Sequence, residues 1–157
     1  MVYRQQQRGR APIGALFVFL CASCGGGCAG DRAREEVLLP AIRLAWGSSE
    51  GGGVAKDVET GIKSGEAGGR LKPEIATALR AEATGLGAGI AQGGAAGMAA
   101  VKGLKGGGWA ILKGEAETGI AWRLNKNEIG VGVAGSLRER LKNFTDALNS
   151  WLAGGGS

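Results

Sequence analysis

An internal duplication limits what this chain can fold into more than any other feature, and fixed-period self-similarity marks a fold built from repeated supersecondary units. Residues Val54 to Ile90 align without a gap on Leu112 to Leu148, superposing Glu59-Thr60-Gly61-Ile62 on Glu117-Thr118-Gly119-Ile120. The same register pairs Ala76 with Ala134, Leu79 with Leu137 and Arg80 with Arg138. Similar apolar residues extend it, with Leu71 opposite Ile129, Ile75 opposite Val133, Leu86 opposite Phe144 and Ile90 opposite Leu148. The spacing of the apolar positions is kept along with the identities, which implies two copies of one unit.

Each copy has the rhythm of two helices around a polar turn. Val133, Leu137, Leu141, Phe144, Leu148 and Trp151 fall three or four apart and share one helical face, while Arg138, Glu139, Lys142, Asn143 and Asp146 take the other. That helix is expected to stop near Gly154, a residue suited to a left-handed C′ position. Ile75, Leu79, Ala83, Leu86 and Ile90 follow the same register behind Pro73, which suits a first turn. The preceding helices are shorter, with Val54, Val58, Ile62 and Leu112, Ala116, Ile120 at steps of four. The turns are placed at Lys63 to Lys72 and Ala121 to Gly130.

An earlier helix is expected from Asp31, as N-cap, to Trp46, with Leu38, Ile42 and Ala45 on one side and Pro40 kinking or shortening it. No segment alternates convincingly as a strand. The expected fold class is all-α, two tandem helical-hairpin repeats plus an N-terminal helix after a cleaved signal segment. The divisions are 1–23 signal, 24–30 Gly-rich tether, 31–53 N-terminal helix and loop, 54–90 first repeat, 91–111 Gly/Ala-rich linker, 112–153 second repeat and 154–157 tail. About 120 residues after the tether can bury one small core.

The signal assignment rests on a cationic stretch (Arg4, Arg8, Arg10), an apolar run from Ala11 to Leu20, and then Cys21-Ala22-Ser23-Cys24. Such a layout reads as an export signal, small residues giving a peptidase access to the chain. A membrane-spanning helix wants about 20 apolar residues, roughly twice this run. Leu20 to Cys24 resembles the lipobox of bacterial lipoproteins, a likeness confined to the first thirty or so residues. That resemblance implies cleavage after Ala22 and Ser23, diacylglycerol on Cys24, and, with Gly25 rather than Asp following, an outer-membrane address facing the periplasm in a Gram-negative cell. Cys21 stands where the family usually has Leu, so an ordinary secretory cut after Ser23 or Ala29 is the competing expectation. Several acyl chains anchor stably where one is marginal.

Charge and cysteine usage narrow the function further. The net charge of +5 includes Arg4, Arg8 and Arg10, which leave with the signal. Elsewhere the signs interleave, as in Asp31-Arg32-Ala33-Arg34-Glu35-Glu36, so no one-signed stripe exists to displace counterions from nucleic acid. The chain has no His and three Cys, too little for a zinc site of about four ligands. No cofactor or metal is expected.

Three motif matches fail on context. Gly25-Gly26-Gly27-Cys28-Ala29-Gly30 fits a dinucleotide fingerprint but lacks the parallel sheet that aims the helix at pyrophosphate. Gly47-Ser48-Ser49-Glu50-Gly51 fits a nucleophile elbow, yet Ser49 has no histidine to act as its base. Calcium-loop positions carry Ser64, Glu66, Gly68 and Ile75 in one copy and Trp122, Leu124, Lys126 and Val133 in the other, unsuited to calcium. Glu59 and Glu117 read as solvated residues repeated by descent, with a paired carboxylate site as the sharper alternative.

Gly85, Gly89, Gly93 and Gly97 recur every four residues, and no charge lies between Glu82 and Lys102. A glycine stripe lets another backbone approach closely and resembles the glycine zippers of some outer-membrane lipoproteins. Gly costs about 1 kcal/mol relative to Ala in a helix, so the segment reads as a helix fraying into a linker. Trp46, Trp109, Trp122 and Trp151 read as helix-end packing, with Trp122, in a polar turn, the one expected to face a partner or lipid headgroups.

The functional expectation is a non-catalytic, lipid-anchored envelope protein acting as a helical binding or structural module. It is not expected to be an enzyme, and its partners are a membrane, through the anchor, and another protein or a second copy. Size, signal and helix pattern resemble the small lipoproteins encoded by phages and prophages. The alternative is a membrane-active glycine-zipper protein inserting through residues 83–101.

Overall fold

A computed structural model describes residues 27–105 and 108–155. Six helices follow in order, α1 Gly27–Trp46, α2 Gly53–Ala67, α3 Pro73–Gln92, α4 Gly94–Lys102, α5 Trp109–Asn125 and α6 Val131–Gly155. The protein is all-α. Among the described residues strand-like pairing is confined to one isolated bridge between Ser48 and Gly52. These residues fall into two compact units, a smaller one holding α1 through Val37 and the chain from Ala153, and a larger one, Leu38–Leu152. In the smaller unit Gly154 is buried, and a methyl there would meet Nη1 of Arg34 at 2.6 Å.

The turns after α2 and α5 are built alike. Gly68 caps α2 at φ −89°, ψ 0° and donates to the Ser64 carbonyl; Lys126 caps α5 at φ −87°, ψ 4° and donates to Trp122. The next residue is left-handed in both, Gly69 at φ 79° and Asn127 at φ 61°. Asn is among the few side-chain-bearing residues that adopt this region readily, which lets it serve where α2 uses glycine. Pro73 then opens α3 at a position where its missing N–H costs nothing.

The core gathers Val54, Val58 and Ile62 of α2, Leu112, Ala116 and Ile120 of α5, Leu86 and Ile90 of α3, and Leu141, Phe144, Leu148 and Trp151 of α6. Leu39, Ile42 and Trp46 of α1 join them, and α1 runs through Pro40. Trp46 stacks on Phe144 at 5.6 Å between centroids, and Trp109 meets Phe144 edge-on at 5.0 Å. Trp109 Nε1 donates to Thr145 Oγ1 at 3.0 Å, so its polar edge is satisfied.

Four expectations need correction. Ile75 and Val133 are about half exposed, because the next residue in each helix, Ala76 and Ala134, takes the inward place with none of its surface exposed. α2 and α5 run to Ala67 and Asn125, past the points where turns were expected. Leu71 folds back against Gly65, where a methyl would sit 2.6 Å from Leu71 Cδ1. The helical course of α1 begins at Gly27, inside the expected tether.

The fourth correction is α4, which occupies residues assigned to a linker. Gly93 and Gly94, at φ 68° and 63°, turn the chain between α3 and α4. α4 then packs back on α3 through glycine, since a methyl on Gly97 would run into the Gly89 carbonyl oxygen, and one on Gly89 would sit 2.7 Å from Val101 Cγ2. Arg43 of α1 closes the end of α3, its Nε and Nη2 donating to the Ile90 and Ala91 carbonyls at 3.0 and 3.1 Å. Those are orphan carbonyls that a helix C-terminus leaves open.

α2 and α5 cross backbone to backbone. A methyl on Gly61 would collide with the Glu115 carbonyl oxygen, and a methyl on Gly119 with the Asp57 carbonyl oxygen. Gly61 and Gly119 pair in the sequence register, as do Asp57 and Glu115. The contact is therefore reciprocal.

Candidate functional site

Close approach of α2 and α5 brings two carboxylates into the interior. Asp57 is fully buried, with Oδ2 accepting from Arg140 Nη2 of α6 at 2.9 Å and Oδ1 lying 3.8 Å from Arg123 Nη1 of α5. Burial raises the Asp57 pKa above its ordinary value, and the Arg140 hydrogen bond, with the charges of Arg140, Arg123 and Lys56, opposes that rise. Glu115, the matching residue of α5, is bound at both oxygens by Arg70 Nη1 and Nη2 at 2.9 and 2.8 Å. That bidentate bond raises the Arg70 pKa, and Arg70 Nη2 also donates to the Gly61 carbonyl at 3.2 Å.

Asp57 of α2 is thus answered by arginines of α5 and α6, and Glu115 of α5 by Arg70 of the turn after α2. Replacing one member of such a pair leaves a buried charge and costs about 3–5 kcal/mol, although the intact pair adds little over an apolar substitute. Asp57 Oδ1 and Arg140 Nε are buried without a hydrogen bond, so this pair carries some cost of its own.

Two surface grooves are bordered by residues that correspond in the sequence register. One, of about 420 Å³, is bordered by Trp46, Ser49, Glu59, Arg80 and Thr84. The other, of about 590 Å³, is bordered by Lys113, Glu117, Arg138, Lys142 and Asp146. In the first, Arg80 Nε donates to both oxygens of Glu59 at 3.2 and 3.0 Å, and its Nη2 donates to Glu66. The Glu66 bond holds that carboxyl below its ordinary pKa and raises Arg80. A third groove, of about 450 Å³, runs between α1 and α6 over Ala41, Ala45, Phe144 and Ala147.

The residues singled out from sequence are dispersed. Ala22, Ser23 and Cys24 lie outside the described residues. Trp122 is corrected from a polar turn to the last turns of α5, half-buried, with Lys126 Nζ 4.6 Å from its ring centre. Gly89 and Gly97 form the α3–α4 contact, Gly93 makes the bend, and a methyl on Gly85 would sit 3.2 Å from Leu104 Cδ2. The glycine stripe is used inside the molecule. Glu59 pairs with Arg80 and Glu117 with Lys113, at 3.9 Å, so the two repeated glutamates serve separate ion pairs.

Among the described residues no three His, Cys, Asp or Glu side chains converge as a metal site, and no helix is long and apolar enough to cross a membrane. Sequence reasoning passed over Asp57, Glu115, Arg70, Arg123 and Arg140. One signal was present, because Asp57 and Glu115 sit three residues after Val54 and Leu112, on the apolar spacing of their helices. No protein-family model, curated protein or solved structure matches this chain.

Proposed function

We propose that this chain is a lipid-anchored protein of the bacterial cell envelope, acylated at Cys24, whose helical body is a non-catalytic binding or structural module. The cationic stretch, apolar run and Cys21-Ala22-Ser23-Cys24 support the anchor. Support for the body comes from one observation above all: its buried charges are spent on each other across the α2–α5 crossing, Asp57 with Arg140 and Glu115 with Arg70. That arrangement ties the helices together beneath charged surface grooves, a form suited to presenting contacts to a partner. The two hairpins are read as copies of one unit, and the size, signal and helix pattern resemble those of the small lipoproteins of phages and prophages. Metabolic labelling with palmitate tests the anchor. Label on the wild type but not on Cys24→Ala, with the labelled form in the membrane fraction, is the expected result; an unlabelled wild type refutes it.

A further inference from the structure

We infer that the groove on the second hairpin receives a carboxylate from an acidic segment of a partner protein, held by Arg138 between Lys113 and Lys142. The inference deepens the binding-module reading and rests on it.

The first hairpin shows how an arginine at this place is satisfied. Arg80 is held by two carboxylates, Glu59 through both of its oxygens and Glu66 through one. In the sequence register Arg138 stands for Arg80, Glu117 for Glu59, and Leu124 for Glu66. One of the two acids is therefore missing from the second hairpin. The other is drawn aside, because Lys113, in the place of Ala55, lies 3.9 Å from Glu117. Among the described residues Arg138 has neither a hydrogen bond nor an ion pair, and it is exposed.

The groove carries Arg138, Lys113 and Lys142 against Glu117 and Asp146, an excess of one positive charge, and Lys142 already takes Asp146 at 3.2 Å. The matching groove has Arg80 against Glu59 along its border, with Glu66 completing the clamp. A planar guanidinium fork fits a carboxylate at two points and discriminates by geometry as well as by charge. An incoming Glu or Asp would restore at Arg138 what Glu66 does at Arg80. Because the site is open to water, binding should weaken steeply with salt.

The test uses the purified full chain and fluorescently labelled hexaglutamate, read by anisotropy at low ionic strength. Wild type should bind. Arg138→Gln should bind about fivefold more weakly, the upper end for a solvent-exposed charge pair. Leu124→Glu, which supplies the missing acid from within, should weaken binding similarly. Lys126→Gln, which lies outside the groove, should change it less than about twofold, since a rim charge is worth little. If Leu124→Glu does not fold, Arg138→Gln decides. Equal binding by wild type and Arg138→Gln overturns the inference, as does binding to phosphatidylglycerol vesicles without binding to hexaglutamate. Palmitate labelling of the same preparation separates the two proposals: a labelled chain that ignores hexaglutamate overturns this inference alone, and an unlabelled chain that binds it overturns the anchor alone.

Discussion

Gly61 and Gly119 set how closely α2 and α5 can approach, and they do so by having no side chain. Glycine inside a helix costs about 1 kcal/mol relative to Ala, so a helix formed without tertiary demands would gain from alanine at either position. Here a methyl would enter the backbone of the facing helix. Gly61→Ala and Gly119→Ala are each expected to lower stability by about 1–3 kcal/mol or more, the usual cost of overpacking. Gly135→Ala should act oppositely, adding about 0.5–1 kcal/mol, because Gly135 is helical and nothing lies within 4 Å of its would-be Cβ. Urea unfolding of the three variants checks the signs. The sequence repeats Gly61 at Gly119 but carries no sign of the close backbone contact that separates these two from Gly135.

At the scale of elements, apolar periodicity was legible and polar pairing was not. The steps of three and four from Leu137 to Trp151 placed Leu141, Phe144, Leu148 and Trp151 on the buried face of α6, and those of α2 and α5 did the same for Val54, Val58, Ile62, Leu112, Ala116 and Ile120. α4 was missed because its composition, Gly-Ala-Ala-Gly-Met-Ala-Ala-Val-Lys, lacks a strong apolar stripe, and its helix is supported by contact with α3. The Asp57–Arg140 bond joins α2 to α6 across the length of both hairpins, a separation at which one sequence carries no pairing signal.

That bond gives stability a pH dependence with a definite sign. Asp57 has a folded pKa above its ordinary value of 3.8, because burial disfavours the carboxylate, so the native state takes up the proton first and the Asp57 contribution falls as pH rises from 3.8 through the folded pKa. Arg140 of α6, Arg123 of α5 and Lys56 of α2 are the charged groups that moderate the shift. Relative to Asp57→Asn, the wild type should therefore gain stability as pH falls through that interval. Glu66 has the opposite sign. Its folded pKa lies below 4.5, so its contribution is full above 4.5 and is lost as pH falls through the folded value. Denaturant unfolding from pH 3 to 7 for wild type, Asp57→Asn and Glu66→Gln separates the two; parallel profiles would contradict both assignments. Arg140→Ala, which strands the buried carboxylate, should cost about 3–5 kcal/mol at neutral pH, and adding Asp57→Asn should recover part of that loss.

Over the whole molecule, the sequence showed the class of fold and the paired rhythm of the helices, because both depend on local spacing. The crossing of α2 on α5 and the pairing of Asp57 and Glu115 with arginines of distant elements depend on three-dimensional proximity and became visible only in the structure. The resulting body uses Gly61, Gly89, Gly97 and Gly119, its buried acids and most of its tryptophan rings internally, and carries Arg138 and the charged grooves on its outside. On the proposed reading this body hangs from acyl chains at residue 24. Mass spectrometry of the mature N-terminus tests that most directly. The account predicts a chain beginning at Cys24 and carrying the mass of a diacylglyceryl group with an amide-linked acyl chain. A chain retaining Met1, or beginning at Gly25 or beyond without added lipid mass, would contradict it.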